Sequence, residues 1–279
     1  MFGREKIEYK TPEQVVCMRK AGLVVAAALR AVEDAAAAGL TTADLDGVAA
    51  AVIADAGATA SFLGYEGFPA TVCVSVNDAV IHGIPGGRVL VDGDLVSVDC
   101  GAIVDGWHAD AAVSFVVGGD GAADPGDLAL VRATDEAMWA GVAALATGER
   151  LSAVANAVDD SITEAAGRDG ARYGIVEDYV GHGIGTAMHQ PPDVLNYRTR
   201  ERGAKIRPGM CLAVEPMVTR GDQLTHVCED DWTVVSSDGS RAAHWEHTVA
   251  ILDGGIWVLT AEDGGASRLA AYGVEIAPV

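Results

Sequence analysis

Four carboxylates in this sequence stand where charge is costly. Asp99 ends the apolar run "LVSVDC", Asp110 leads into "AAVSFVV", Glu215 closes "MCLAVEP" ahead of Pro216, and Glu246 opens "EHTVAIL". An acid at the mouth of an apolar strand loses hydration that something must replace. Brought together, four such groups would repel one another and stay partly protonated. Divalent cations remove that difficulty, and an oxygen-rich donor set suits Mg, Mn, Fe, Co or Zn rather than soft Cu. His182 is the natural imidazole to join them. In "GHGIG", Gly181 and Gly183 allow close backbone approach, so the ring can be presented rigidly. Four acids and one imidazole make five ligands, and bridging carboxylates let five ligands hold two ions. A two-metal site without thiolates points to metal-assisted hydrolysis, with a peptide bond, a phosphoester or a small amide as the substrate.

Two more histidines stand in turns that could face such a site. His189, in "MHQPP", is a second ligand or a substrate-facing acid/base group, and His82, in "NDAVIHGIP", sits in a similar turn before Pro85. Residue chemistry leaves both open. A phosphate-binding loop around His182 is disfavoured, because the segment has neither GxxxxGK[ST] nor GxGxxG spacing. His108, His226, His244 and His247 are weaker choices. His247 is the immediate neighbour of Glu246, and the strand period turns neighbours to opposite faces.

The elements that must position these groups follow from pattern. "TPEQ" supplies a cap at Thr11, a proline at the first helical position and a capping-box Gln14. It predicts a helix from Pro12 to about Ala38, with a second from Thr42 to just before Gly57 and two more at about 126–146 and 152–166. Short β-rich runs predict strands at 71–76, 95–100, 111–117, 210–216, 232–236 and 246–252, with "GIWVLT" as an edge or closing strand. A hairpin turning near Asp105 and Gly106 would bring Asp99 and Asp110 together. The stretches 89–99 and 205–215 align without a gap, each with a glycine turn (Gly93, Gly209) and an apolar run ending in an acid. Each half also begins with a helix pair. The expected architecture is therefore a duplicated α+β unit folded as one catalytic domain over 1–279. Its halves span about 11–118 and 119–260 behind an arm at 1–10, with the site where the halves meet.

Bulk composition narrows the partners. Of 279 residues half are hydrophobic, enough for a core rather than disorder. The net charge of -21 disfavours nucleic acid and anionic membranes, and no cationic patch stands out along the chain. Five scattered cysteines without a CxxC pair argue against a disulfide framework or a thiolate zinc site. "MFGREKIEYK" lacks a signal-peptide core, and Arg30, Glu33 and Asp34 interrupt the apolar stretch 21–40, so a cytoplasmic protein is expected.

The ordered set "GYEGFP", "VNDAVIHGIP", "VSVDCG", "GWHAD", "GHGIG", "MHQPP", "AVEPM" and "WEHT" resembles the type I methionine aminopeptidases, in their short bacterial form, of the pita-bread metallopeptidase fold. The resemblance covers nearly the whole chain. It implies two pseudo-symmetric halves around a dinuclear centre, with Asp99, Asp110, His182, Glu215 and Glu246 as ligands. It also implies His189 bonding the substrate amide and oxyanion, His82 near the scissile amide, and Glu215 handling the proton of the attacking water. Tyr65, Phe68, Cys73 and Trp232 would form a slot for an unbranched methionine side chain. The implied activity is removal of an N-terminal methionine from nascent polypeptides and short peptides, favouring a small second residue. The enzyme would act as a monomer with at most transient ribosome contact. Glu66 stands where histidine is frequent, Asp78 where glutamate is, Ala109 where glycine is and His244 where glutamine is. Glu66 and Asp78 are expected to affect the pocket rim or peptide preference. The rivals are a proline-specific aminopeptidase or dipeptidase of the same fold, and a binding protein that has lost catalysis.

Overall fold

Local chemistry starts the first helix where the sequence places it. The Thr11 hydroxyl accepts from the Gln14 N–H, and Gln14 Oε1 accepts from the Thr11 N–H at 2.8 Å. In the computed structural model residues 6–279 are described, so residues 1–5 of the expected arm lie outside them. The first half holds α1 (Pro12–Ala35), α2 (Thr42–Asp55), β1 (Thr59–Ala60), β2 (Val72–Val76), β3 (Ala79–Ile81), β4 (Leu95–Val104) and β5 (Trp107–Val116). The second opens with α3 (Pro125–Thr147), α4 (Ser152–Asp169), β6 (Gly174–Ile175), β7 (Gly181–Gly183) and β8 (Gln190–Val194). It continues with β9 (Cys211–Val214), β10 (Met217–Thr219), β11 (Thr225–Val227), β12 (Val234–Ser236), β13 (Ala242–His244), β14 (Glu246–Leu252) and β15 (Gly255–Val258). No helix of the described residues is long and apolar enough to cross a membrane.

The hairpin strands β4 and β5 each reach four residues further toward their shared turn than the sequence reading has them, because the ladder stays paired from Leu95–Val116 to Val104–Trp107. Three other boundaries differ for a tertiary or local reason. Helix α1 stops three residues early because Gly39 and Leu40 leave it to exchange backbone hydrogen bonds with Leu90. Helix α4 runs on to Asp169, where Gly170 caps it in the left-handed region. The run 232–236 is a strand only from Val234. Asp230 Oδ1 accepts from both the Trp232 and Thr233 N–H groups, and this turn takes Trp232 out of the ladder.

A nine-stranded antiparallel sheet runs in the order β1-β4-β5-β14-β9-β7-β8, with β2 on β4 and β15 on β14. The turn between β4 and β5 is Asp105–Gly106, both with positive φ, closing a two-residue hairpin. Helices cover mainly one face, although the first turns of α1 also reach Cys211 and Ala250 through Val15 and Met18. Val25, Leu29 and Leu45 pack on Val96 and Val98, while Leu130, Val142 and Val158 pack on Leu212, Val214 and Val249. Each such side chain stabilises by about 1.5–3 kcal/mol when fully buried. Because side chains alternate along a strand, residues 99, 110, 112, 213, 215, 246 and 248 all point to the other face.

The echo between 89–99 and 205–215 is a structural repeat. Gly93 and Gly209 share a φ of 88°. The Gly93 N–H donates to Val117 O (2.9 Å), and the Gly209 N–H to Ile251 O (2.8 Å). Val117 and Ile251 in turn donate to the carbonyls of Asp94 and Met210. Ahead of each turn, Val89 bridges Thr41 and Lys205 bridges Arg150, just before the second helix of each half. The halves join where β5 pairs with β14 through Glu246–Ala112 and His247–Ala111.

Candidate metal centre

Register alone gathers the acids at that seam. Asp99 faces Ala112 across β4 and β5, and Ala112 faces Glu246 across β5 and β14. His247 faces Val214, so the next step brings Glu246 beside Glu215 at the end of β9. Asp110 stands two residues from Ala112 on the same face, opposite Gly101. His182 arrives from β7, whose Gly183 pairs with Leu212. Gly181 and Gly183 permit this, since a Cβ on either would fall within 2.4 Å of a backbone oxygen of Ala213 or Pro191.

Donor atoms of Asp110, His182 and Glu246, all buried, lie within 4.8 Å of one another. His182 Nε2 is 3.7 Å from Asp110 Oδ2 and 3.3 Å from Glu215 Oε1. Its Nδ1 lies 3.0 Å from Gly183 O. An Nδ1–H donated to that carbonyl leaves the Nε2 lone pair facing the acids. Burial holds His182 neutral by pushing its pKa down to about 4. Burial likewise drives Asp99, Glu215 and Glu246 well above the ordinary carboxylate range, and their mutual charges add to the effect. Asp110 is raised by burial too, against the pull of His189 and of Thr248, whose hydroxyl is 3.0 Å from Oδ1.

The donor set fits divalent cations. Asp99 Oδ1 and Glu215 Oε1 are buried without any hydrogen-bond donor, a costly state that a cation relieves. The ligand atoms are carboxylate oxygens and one neutral imidazole nitrogen, as hard and borderline ions require.

Beside the acids lies a cavity of about 330 Å³, reached by His82 and His189. Its apolar wall is the cluster of Phe62, Phe68, Cys73 and Met188, with Tyr65 and Trp232 against it. Phe68 and Trp232 meet edge to face at 5.0 Å. Gly101 makes room for this wall, because a Cβ there would sit 2.8 Å from Phe62 Cε1. The four residues expected to form the slot are thus together, and Phe62 and Met188 join them without having been singled out by sequence. Met188 carried a signal in its place next to His189; Phe62 carried none.

The other two candidate histidines at the cavity are held differently from His182. His189 Nδ1 is 2.9 Å from the Tyr65 hydroxyl, and its ring meets that of His182 at 4.4 Å. Its loop is tied to the N-terminal arm. Glu8 accepts from the Thr186 N–H and hydroxyl, and buried Lys10 reaches Gln190 Oε1 at 3.4 Å. The arm supplies no imidazole, but it braces the loop that does. His82 sits at φ 57° on the way out of β3, its ring edge-on to Tyr179 at 5.5 Å.

Among the weaker choices, His247 turns to the helix face, bonds Thr260 and packs on Trp139. His108 bonds Ser61, and His226 lies exposed near Ser237. His244 does line the cavity, as does Glu66, whereas Asp78 is exposed in the turn after β2 and does not. Of the two residues expected to shape the rim, only Glu66 is placed to do so.

Residues 16–253 match the model of metallopeptidase family M24. The chain is 50% identical to methionine aminopeptidase 1 of Mycobacterium tuberculosis over 92% of its own length and 96% of that protein. To methionine aminopeptidase of Escherichia coli it is 36% identical, covering 91% and 94%. Among solved structures it is similar to methionine aminopeptidase from Thermotoga maritima, with a TM-score of 0.86 at 39% identity over 92% of this chain and all of that one. The prolidase of Pyrococcus furiosus shares the fold alone, with a TM-score of 0.69 at 20% identity and 65% of its length covered.

Proposed function

The chain belongs to metallopeptidase family M24 and, within it, to the bacterial-type methionine aminopeptidases of pita-bread fold, and we propose that its strand-borne and loop-borne side chains divide the reaction between them. It hydrolyses the peptide bond that follows an N-terminal methionine. Asp99, Asp110, His182, Glu215 and Glu246 would hold two divalent ions. Ions held there would supply Lewis acidity, acidifying a water and polarising the methionyl carbonyl. The observation that carries this reading is the pair of buried, unpartnered oxygens on Asp99 and Glu215 beside an apolar cavity.

The chain's own groups do the rest. The slot of Phe62, Tyr65, Phe68, Cys73, Met188 and Trp232 takes the methionine side chain, whose unbranched thioether suits a narrow apolar wall. With the Tyr65 hydroxyl donating to Nδ1, His189 keeps its proton on Nε2 and donates it to the substrate's amide and developing oxyanion. His82 contacts the scissile amide from the leaving-peptide side. Glu215 takes the proton from the attacking water and returns it to the departing amine. A small second residue fits the cleft best. The substrates are nascent polypeptides and short peptides, met in the cytoplasm by a monomer. A transient ribosome contact would use the cleft lined by Lys6, Arg150, Lys205 and Arg207, which gathers four cations on a chain of charge -21. That cleft is a patch the linear sequence did not reveal, since its members are brought together from three separate segments.

The test is a peptide assay on metal-stripped protein restored with one divalent ion at a time. Met-Ala-Ser is cleaved, Met-Leu-Ser poorly, and Ala-Pro-Ser is not. The reading fails if Met-Ala-Ser stays intact with every ion, or if Ala-Pro-Ser is preferred.

A further inference from the structure

The repeat that builds the centre also leaves one cavity side chain unexplained. The spacing that relates Val117 to Ile251 in the two matching turns relates Ala112 to Glu246 and Asp110 to His244. His244 is thus the second-half counterpart of a metal-facing aspartate, and it lines the same cavity. Its backbone is pinned on both sides by one hydroxyl. The His244 N–H donates to Ser114 Oγ (2.9 Å), and Ser114 Oγ donates to His244 O (2.8 Å). The side chain is 2% exposed, and its Nε2 has no hydrogen-bond partner. The nearest charged atom to that nitrogen is Glu215 Oε2, at 3.8 Å. The other oxygen of the same carboxylate, Oε1, lies 3.3 Å from His182 Nε2 and is also without a donor.

We propose that His244 is the positioning residue of Glu215: its Nε2–H donates to Oε2 and so aims Oε1 at His182 and the metal centre. The proposal rests on the reading of Glu215 as a ligand and proton carrier. A short ring movement closes the 3.8 Å gap, and it satisfies a buried donor and a buried carboxylate at once. His244 acts through Glu215 rather than as a ligand, because among the described residues Glu215 is the one carboxylate within 4.0 Å of its Nε2, and the atom it meets is the oxygen turned away from His182. What the position requires is one N–H at the end of a side chain of this reach. An amide supplies that donor, and a phenyl ring fills the space without it.

The experiment titrates Co(II) into metal-stripped wild type and the variants His244→Ala, His244→Phe and His244→Gln by calorimetry. Melting temperature and the kcat and KM for Met-Ala-Ser are followed in parallel. Loss of a hydrogen bond to a metal ligand costs about 10- to 100-fold in metal affinity. His244→Ala and His244→Phe are therefore expected to weaken one ion by about tenfold or more while keeping the wild-type stoichiometry, and to lower kcat more than they raise KM. His244→Gln restores both to within about threefold, a fraction of that cost. The proposal is overturned if the first two variants bind Co(II) as tightly as wild type and merely melt earlier. It is equally overturned if they lose one ion outright and glutamine does not rescue it, which would make His244 a ligand. Wild type that takes up no ion overturns the metal reading itself, an outcome separable from either.

Discussion

His182 and His189 touch rings at 4.4 Å, yet different physics holds them. His182 belongs to β7 of the sheet, in line with Asp99, Asp110, Glu215 and Glu246, whose shared face follows from strand register. A register slip would turn them all away together, so the hydrophobic face behind them specifies the metal side. His189 has no such guarantee. It stands in a loop braced by Tyr65 and by the Glu8–Lys10 arm, contacts that span more than a hundred residues of sequence. The metal side is rigid by pairing, and the substrate side is rigid only by tertiary bracing.

The sharpest way to break this contrast is His182→Ala. It removes a proposed ligand, so metal affinity is expected to fall by more than the roughly 100-fold that an outer contact costs. Equilibrium dialysis against a Mn(II) buffer reads that loss directly. His189→Ala comes next, with a fall of about 10²–10³-fold in kcat, the usual cost of an oxyanion donor. Metal content by atomic absorption should not change in this variant; a protein that loses its ions here would erase the distinction. Glu8→Ala frees the loop without touching cavity or ligands. It should lower kcat by about tenfold, well short of the 10²-fold that a full 1 Å misplacement costs. Stopped-flow turnover of Met-Ala-Ser checks this, and an unchanged rate would mean that Tyr65 suffices as the brace. The smallest effect belongs to Glu66→His at the cavity rim. It should shift KM by no more than about fivefold, as a partly solvated charge allows. Peptides carrying lysine or glutamate after the second residue would show the shift most clearly.

The contrast also explains which parts were legible in the sequence. Strand-borne acids were readable because each ends or opens an apolar run, and the Asp105–Gly106 turn fixes how two of them meet. The turns at Gly93 and Gly209 were legible for the same reason: local chemistry recurs with the repeat. Strands β3, β7, β10 and β13 have three residues each, too few to carry a period, so they did not stand out. Lys10 carries no signal in the sequence, and its burial is explained by Glu8, whose carbonyl and carboxylate it meets, together with the distant Gln190. Trp232 lines the cavity, but its β-rich surroundings read as a strand, because the Asp230 turn that redirects it carries no signal in the run 232–236 itself. His244 was set aside on sequence, and its role depends on a counterpart relation that only the folded repeat reveals.

The central claim is that strands hold the metal and the braced loop holds the substrate. Calorimetric titration of one divalent ion into stripped wild type, His182→Ala and His189→Ala tests it most directly. The expected result is wild-type stoichiometry and affinity for His189→Ala, with a lost or severely weakened site for His182→Ala. Metal loss in His189→Ala alongside normal binding in His182→Ala would contradict it.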